Sequence, residues 1–79
     1  MADKVRIGLI GVGMIGKHHI NQYKQMPEAE IVAVCDLRED EALRVAQAND
    51  IDAVYTDYRE LLKRDDIQSI DVCVHNRQH

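Results

Sequence analysis

Apolar residues fall in short runs separated by longer stretches in which charge alternates with single hydrophobic positions. The runs are Val5-Arg6-Ile7-Gly8-Leu9-Ile10, Ile31-Val32-Ala33-Val34-Cys35, Ala53-Val54-Tyr55 and Ile70-Asp71-Val72-Cys73-Val74. Each has the length and the β-branched content of a strand, and the second is apolar throughout, as parallel strands covered on both faces are. The intervening stretches carry helical spacing. Met14 to Met26 places Gly16, Ile20 and Tyr23 on one face, with Pro27 stopping it. Glu39 to Asn49 offers Ala42, Leu43 and Ala46 as its apolar side, behind an acidic first turn that suits the helix dipole. Asp57-Tyr58-Arg59-Glu60 has the spacing of a capping box and opens a third helix whose buried side is Leu61-Leu62.

The order β-α-β-α-β-α-β predicts an α/β fold with parallel strands joined by right-handed crossovers. The expected arrangement is a partial Rossmann (doubly wound) sheet of strand order 3-2-1-4. In such a sheet the ligand lies at the carboxyl ends of the first and fourth strands, where the order reverses.

The turn after the first strand reads Gly11-Val12-Gly13-Met14-Ile15-Gly16, and Asp36 stands twenty positions after the last glycine, at the end of the second strand. A G-x-G-x-x-G that follows a strand, opens a helix and is answered by a later carboxylate is a dinucleotide-binding fingerprint. Gly11 permits the tight turn, Gly13 lets the backbone approach a pyrophosphate, and Gly16 allows close packing of the helix. The N–H groups of Gly13, Met14 and Ile15, at the positive end of the helix dipole, suit a diphosphate. Asp36 suits the 2′ and 3′ hydroxyls of an adenosine ribose, which favours NAD and leaves NADP as the alternative. Leu37 and Arg38 follow at the adenine end, where the guanidinium suits either the adenine ring or a 2′-phosphate. A competing role for Asp36 is to cap the second helix, since Asp36 and Glu39 also have capping-box spacing.

Composition narrows the classes. The 79 residues make at most one domain, with 46% hydrophobic and 30% charged residues, one Pro and no Trp or Phe. The net charge of −4, with acids and bases interspersed, argues against nucleic acid as a partner. No signal sequence and no long apolar run is evident, so a cytoplasmic protein without a membrane segment is expected. Cys35 and Cys73 sit on strands that flank the first strand, too far apart for a disulfide, and are expected as buried free thiols. His18, His19, His75 and His79 show no ligand spacing, so no metal is expected. His19 is expected as a packed or hydrogen-bonded histidine.

The chain resembles the amino-terminal part of the glucose–fructose oxidoreductase, inositol dehydrogenase and MocA family. The resemblance rests on Ile7 to His19, on Glu30 to Asp36, on Tyr55-Thr56-Asp57-Tyr58-Arg59-Glu60-Leu61-Leu62 and on Ile70 to His79. It implies a nicotinamide-dependent oxidoreductase acting on carbinol groups of sugars, cyclitols or similar small molecules, and a homo-oligomer. It also implies that Asn76 and His79 line the cofactor near its ribose and nicotinamide end; His75 is expected at the cofactor from its place just past the fourth strand, at the sheet's switch point. The family more often has Pro or Thr where His75 stands. In the family a Glu-Lys-Pro segment, whose lysine takes part in catalysis, follows on the next strand, and the substrate residues belong to a second α/β domain. Residues 1–79 are therefore expected to be the amino-terminal part of a dinucleotide-binding domain, with no catalytic residue of their own and no turnover alone. The alternative is a non-catalytic NAD-sensing regulatory module.

Overall fold

The computed structural model describes residues 4–73. Its elements run β1 (Val5–Ile10), α1 (Met14–Lys24), β2 (Ala29–Cys35), α2 (Glu39–Ala48), β3 (Ala53–Tyr55), α3 (Tyr58–Leu62) and β4 (Ser69–Val72). The four strands form one sheet in the order β3-β2-β1-β4, with every pairing parallel. This is the doubly wound order expected from the sequence. Val74, the last residue of the expected fourth strand, lies outside the described residues.

Alternation along β1 sends Ile7 and Leu9 to one face of the sheet and Gly8 and Ile10 to the other. On the first face, Leu9, Val12, Ile20, Val34, Ala42, Val45, Ala46, Ile51 and Cys73 form the larger core, under α1 and α2. On the second, Ala33, Cys35 and Leu61 form a smaller one, with Ile10, Tyr55 and Ile67 around it. Gly8 is needed here: a Cβ would stand 2.8 Å from Leu61 Cδ2 and 2.9 Å from Ile67 Cδ1. The short α3 is seated on that vacancy of side chain.

The β1–β2 ladder slips by one residue. Ile7 pairs with Ile31 but Gly8 pairs with Ala33, leaving Val32 as an extra residue. Such a bulge is uncommon between parallel strands. Its effect is visible in the packing, because Val32 and Ala33 both join the α3-side cluster while Ile31 and Val34 belong to the α1 side.

The helix ends follow from local chemistry. The α1 helix stops at Lys24, earlier than the expected Met26, and its last turn tightens as Gln25 N–H bonds Gln22 O and Met26 N–H bonds Tyr23 O. Pro27 disfavours helical backbone at Met26. The α2 helix closes with Asp50 in the left-handed region (φ 58°) and Ile51 N–H returning to Ala46 O at 2.9 Å. That is a Schellman closure in which Asp stands where Gly is usual, and Ile51 supplies the accompanying apolar contact. At α3, Asp57 caps as expected, its carboxylate accepting from Arg59 N–H at 2.9 Å.

Two of the expected buried positions are corrected. In α2 the inward residues are Ala42, Val45 and Ala46, whereas Leu43 is 43% exposed. Positions 42, 45 and 46 share a face at i, i+3 and i+4; residue 43 is turned about 100° from residue 42. In α3 only Leu61 is buried, and Leu62 is 50% exposed. Replacing Leu61 with Ala should therefore cost about 2–5 kcal/mol, while Leu43→Ala and Leu62→Ala should each cost well under half of that. Urea unfolding followed by circular dichroism checks the contrast, and equal losses would mean that the half-exposed leucines are buried in solution.

Candidate functional site

The carboxyl end of β1 runs directly into the glycine loop. Gly11 takes φ 95°, a conformation that L side chains rarely adopt, and its N–H bonds Cys35 O at 2.7 Å. The turn is thus locked to the end of β2. Three residues later α1 begins, with Gly13 as its N-cap and Lys17 N–H bonding Gly13 O. The first N–H groups of a helix have no partner within it, and here they gather at Gly13, Met14, Ile15 and Gly16. No acidic side chain occupies this first turn.

The three glycines serve different needs. At Gly16, a Cβ would fall 2.1 Å from Gly11 O, so the helix can sit against the turn only with hydrogen at that position. At Gly13 the backbone is ordinary extended chain, and a Cβ would meet only the Arg38 guanidinium, at 3.5 Å. What Gly13 keeps clear is space beside the helix N-terminus, which is where a diphosphate is best held by backbone N–H groups. Gly11, Gly13, Met14, Ile15 and Gly16 are therefore brought together at one turn and the helix start that follows it. Met14 is 87% exposed and Ile15 43%, so both flank the mouth and neither packs in the core.

Asp36 lies across this loop. Its Oδ2 accepts from Val12 N–H at 2.9 Å and its Oδ1 from Arg38 N–H at 2.9 Å. The Arg38 guanidinium folds over the same carboxylate with longer contacts, Nε to Oδ1 at 3.3 Å and Nη2 to Oδ2 at 3.4 Å. Burial pushes the Asp36 carboxyl up, but the hydrogen bonds from Arg38 and the Val12 N–H outweigh it and hold the group below the usual carboxylate range. The capping alternative for Asp36 does not hold. The N-cap of α2 is Arg38 and no side chain caps that helix, because the loop N–H of Val12 claims the carboxylate instead. Leu37, 90% exposed, extends from this corner beside the mostly exposed Arg38.

An ion pair between Lys17 and Glu41 (2.6 Å), with Arg44 on the same carboxylate at 2.9 Å, ties the first turn of α2 to α1. The expected contributions of His75, Asn76 and His79 lie outside the described residues. Cys35 and Cys73 are buried free thiols as expected. Among the described residues no helix is long and apolar enough to cross a membrane.

One cluster was not foreseen. His19 and Tyr23 of α1 meet Asp71 and Cys73, with His19 Nδ1 and Tyr23 Oη each 2.7 Å from Asp71 Oδ2. His19 is hydrogen-bonded, as expected of it, but its partners are 52 and 54 positions away in sequence. Only the crossover topology, which packs α1 on the same face of the sheet as Asp71 and Cys73, could have suggested the meeting.

Comparison with known proteins agrees with this geometry. A family model described as an oxidoreductase family with an NAD-binding Rossmann fold matches residues 5–79. A myo-inositol 2-dehydrogenase of Thermotoga maritima is 31% identical over 75 residues, covering 95% of this chain and 22% of the relative. An α-N-acetylgalactosaminidase of Shewanella oneidensis is 41% identical over 77 residues, covering 86% of this chain and 17% of the relative. The crystal structure of a Lactobacillus casei myo-inositol dehydrogenase in complex with NAD(H) and myo-inositol superposes with a TM-score of 0.81 at 34% identity, over 87% of this chain and 21% of that one. The chain spans about a fifth of the length of the relatives it matches. From Val5 to His79 it belongs to the Gfo/Idh/MocA oxidoreductase family, whose NAD-binding Rossmann fold it carries.

Proposed function

We propose that this chain is the adenosine-holding part of a dehydrogenase whose intact form moves hydride between a nicotinamide dinucleotide and a carbinol of a sugar, cyclitol or similar small molecule. The observation that carries the reading is the Asp36–Val12 hydrogen bond, which sets an ionised carboxylate beside an open helix N-terminus. Anion-binding N–H groups and a diol-binding carboxylate are the two recognition elements that an adenosine diphosphate requires. A bound dinucleotide supplies the hydride acceptor or donor at its nicotinamide ring. This chain's own residues bind and orient it.

The fit is favourable in detail. A carboxylate offers about four acceptor positions. The Val12 and Arg38 N–H groups use one on each oxygen, and the remaining positions face the long contacts from the Arg38 guanidinium. That side chain is 62% exposed, so ribose hydroxyls can replace it at little cost while the guanidinium moves toward the adenine. NAD is the preferred cofactor, because a 2′-phosphate would meet the Asp36 charge. In NADP binding, Arg38 would have to neutralise that phosphate. Leu37 offers an apolar side to the adenine, Asn76 and His79 are assigned by family resemblance to the ribose–nicotinamide end, and His75 is assigned there by its place in the sequence just past the fourth strand.

The regulatory-module reading has less behind it, since the match to an oxidoreductase family spans residues 5–79. The substrate is a separate matter. A relative named for myo-inositol oxidation and one named as an α-N-acetylgalactosaminidase share this stretch, so the stretch alone does not select the substrate.

Two measurements test the proposal. In calorimetric titrations of the protein, Asp36→Ala should weaken NAD by about 1.5–3 kcal/mol, roughly 10- to 150-fold, and narrow its advantage over NADP. Arg38→Ala should weaken NADP more than NAD. Wild-type preference for NADP, or an Asp36→Ala variant that binds as the parent does, would overturn the assignment. Gly13→Val should abolish dinucleotide binding and leave the circular dichroism melt nearly unchanged, because a Cβ there meets only the exposed Arg38 guanidinium in the free protein. Undiminished NAD affinity in that variant would make the loop a structural turn.

A further inference from the structure

The nucleotide site leaves the His19–Tyr23–Asp71–Cys73 cluster without a role. It lies on the α1 side of the sheet, built from α1, β4 and Cys73, the residue that follows β4. Asp71 receives three donors: His19 Nδ1 and Tyr23 Oη on Oδ2, and Cys73 Sγ on Oδ1 at 3.4 Å. Cys73 Sγ is also 3.2 Å from His19 Nδ1.

Cys, His and Asp together suggest a nucleophilic triad, but the geometry is wrong for one. In a triad the nucleophile sits on one ring nitrogen and the carboxylate on the other, so that a proton can pass through the ring. Here thiol and carboxylate both face Nδ1. Burial, then the neighbouring Asp71, also pushes the Cys73 thiol up to about 12, so it is not a ready thiolate. One N, one O and one S ligand atom lie within 4.8 Å of one another, which is the grouping that a chelate needs.

We propose that His19 Nδ1, an Asp71 carboxylate oxygen and Cys73 Sγ form a binding site for a zinc-like divalent cation, with Tyr23 orienting the carboxylate. The donor set is the mixture of imidazole, carboxylate and thiolate that borderline-soft ions of this class prefer. Tetrahedral coordination with bonds of about 2.0–2.3 Å sets ligand atoms about 3.3–3.6 Å apart. The two distances from Cys73 Sγ, 3.2 and 3.4 Å, already approach that spacing. The His19 Nδ1 contact of 2.7 Å is to the other carboxylate oxygen, Oδ2, so the ring must turn toward Oδ1, and one ligand atom from each of the three residues already lies within 4.8 Å of the others. The His19 side chain is 34% exposed and has room to turn. Tyr23, held on the second acceptor position of Asp71, is the kind of outer partner that fixes a metal-binding carboxylate. Three protein ligands leave the fourth position to water.

The proton balance is simple. As the sulfur–metal bond forms, the Cys73 thiol gives its proton to solvent, and His19 changes tautomer, losing the Nδ1 proton that it donates to Asp71 and taking one from solvent on Nε2, so that one proton is released in all. Nothing is oxidised or reduced. Cys35 takes no part, since it belongs to the cluster on the opposite face of the sheet.

Cobalt(II) is the probe, because a cysteine ligand gives it a thiolate-to-metal charge-transfer band. Titrating the purified protein with cobalt should raise that band to saturation at one ion per chain, and added zinc should bleach it. Cys35→Ser should retain the band; Cys73→Ser and His19→Gln should lose it with the circular dichroism spectrum intact. His19→Gln decides alone if the buried Cys73→Ser variant unfolds, because His19 is only half-buried. No band at one equivalent, a band that survives His19→Gln, or a band lost only in Cys35→Ser would each overturn the proposal.

Discussion

Helix α1 can begin where it does only because residue 16 carries no side chain. The Gly11 carbonyl occupies the space that a Cβ would need, at a distance no real contact reaches. Everything at the mouth of the sheet follows from that close approach. Only three residues separate the end of the strand from the start of the helix, so its free N–H groups open directly above the carboxyl end of β1. The same tight turn brings Val12 N–H round to Asp36, which joins the end of β2 to the loop. A looser turn would separate the anion-binding groups from the carboxylate, and neither alone distinguishes a dinucleotide from any other anion.

Arg38 plays two parts at this mouth. In the free protein its guanidinium lies over Asp36 and partly offsets a charge that would otherwise face an empty corner. The contacts are long and the side chain is solvated, so the pair contributes little to stability. The cover is easily removed, and the hydrogen bonds from the Val12 and Arg38 backbone N–H groups remain on the carboxylate when it leaves.

Much of this was legible in the sequence, for reasons that differ by element. β1 and β3 have the bounds that their apolar runs predict, and Asp57 caps α3 as its spacing requires. The glycine loop is readable because its chemistry is local: turn, cradle and helix start occupy consecutive residues. Leu43 and Leu62 misled because a leucine next to a buried residue looks buried by composition, whereas helical angle decides. The bulge at Val32 was hidden by its own surroundings, since a strand apolar at every position carries no alternation to betray a slip. The choice between capping and loop binding for Asp36 turned on a single backbone N–H, which no spacing rule ranks. The His19–Asp71–Cys73 meeting depends on distances across the fold and has no local signature at all.

The slip in β2 also makes that strand a buffer of length. Upstream of Val32 the strand is in step with Ile7, and downstream it is in step with Gly8, with one residue too many between them. Taking that residue out would close the bulge and leave Ala33 opposite Gly8 and Cys35 opposite Ile10, as they are now. Asp36 would keep its place against the glycine loop. The two ends of β2 are therefore mechanically uncoupled by one residue, and a lineage could gain or lose it there without moving the corner where Asp36 meets the glycine loop. The same change beyond Cys35 would find no slack to absorb it.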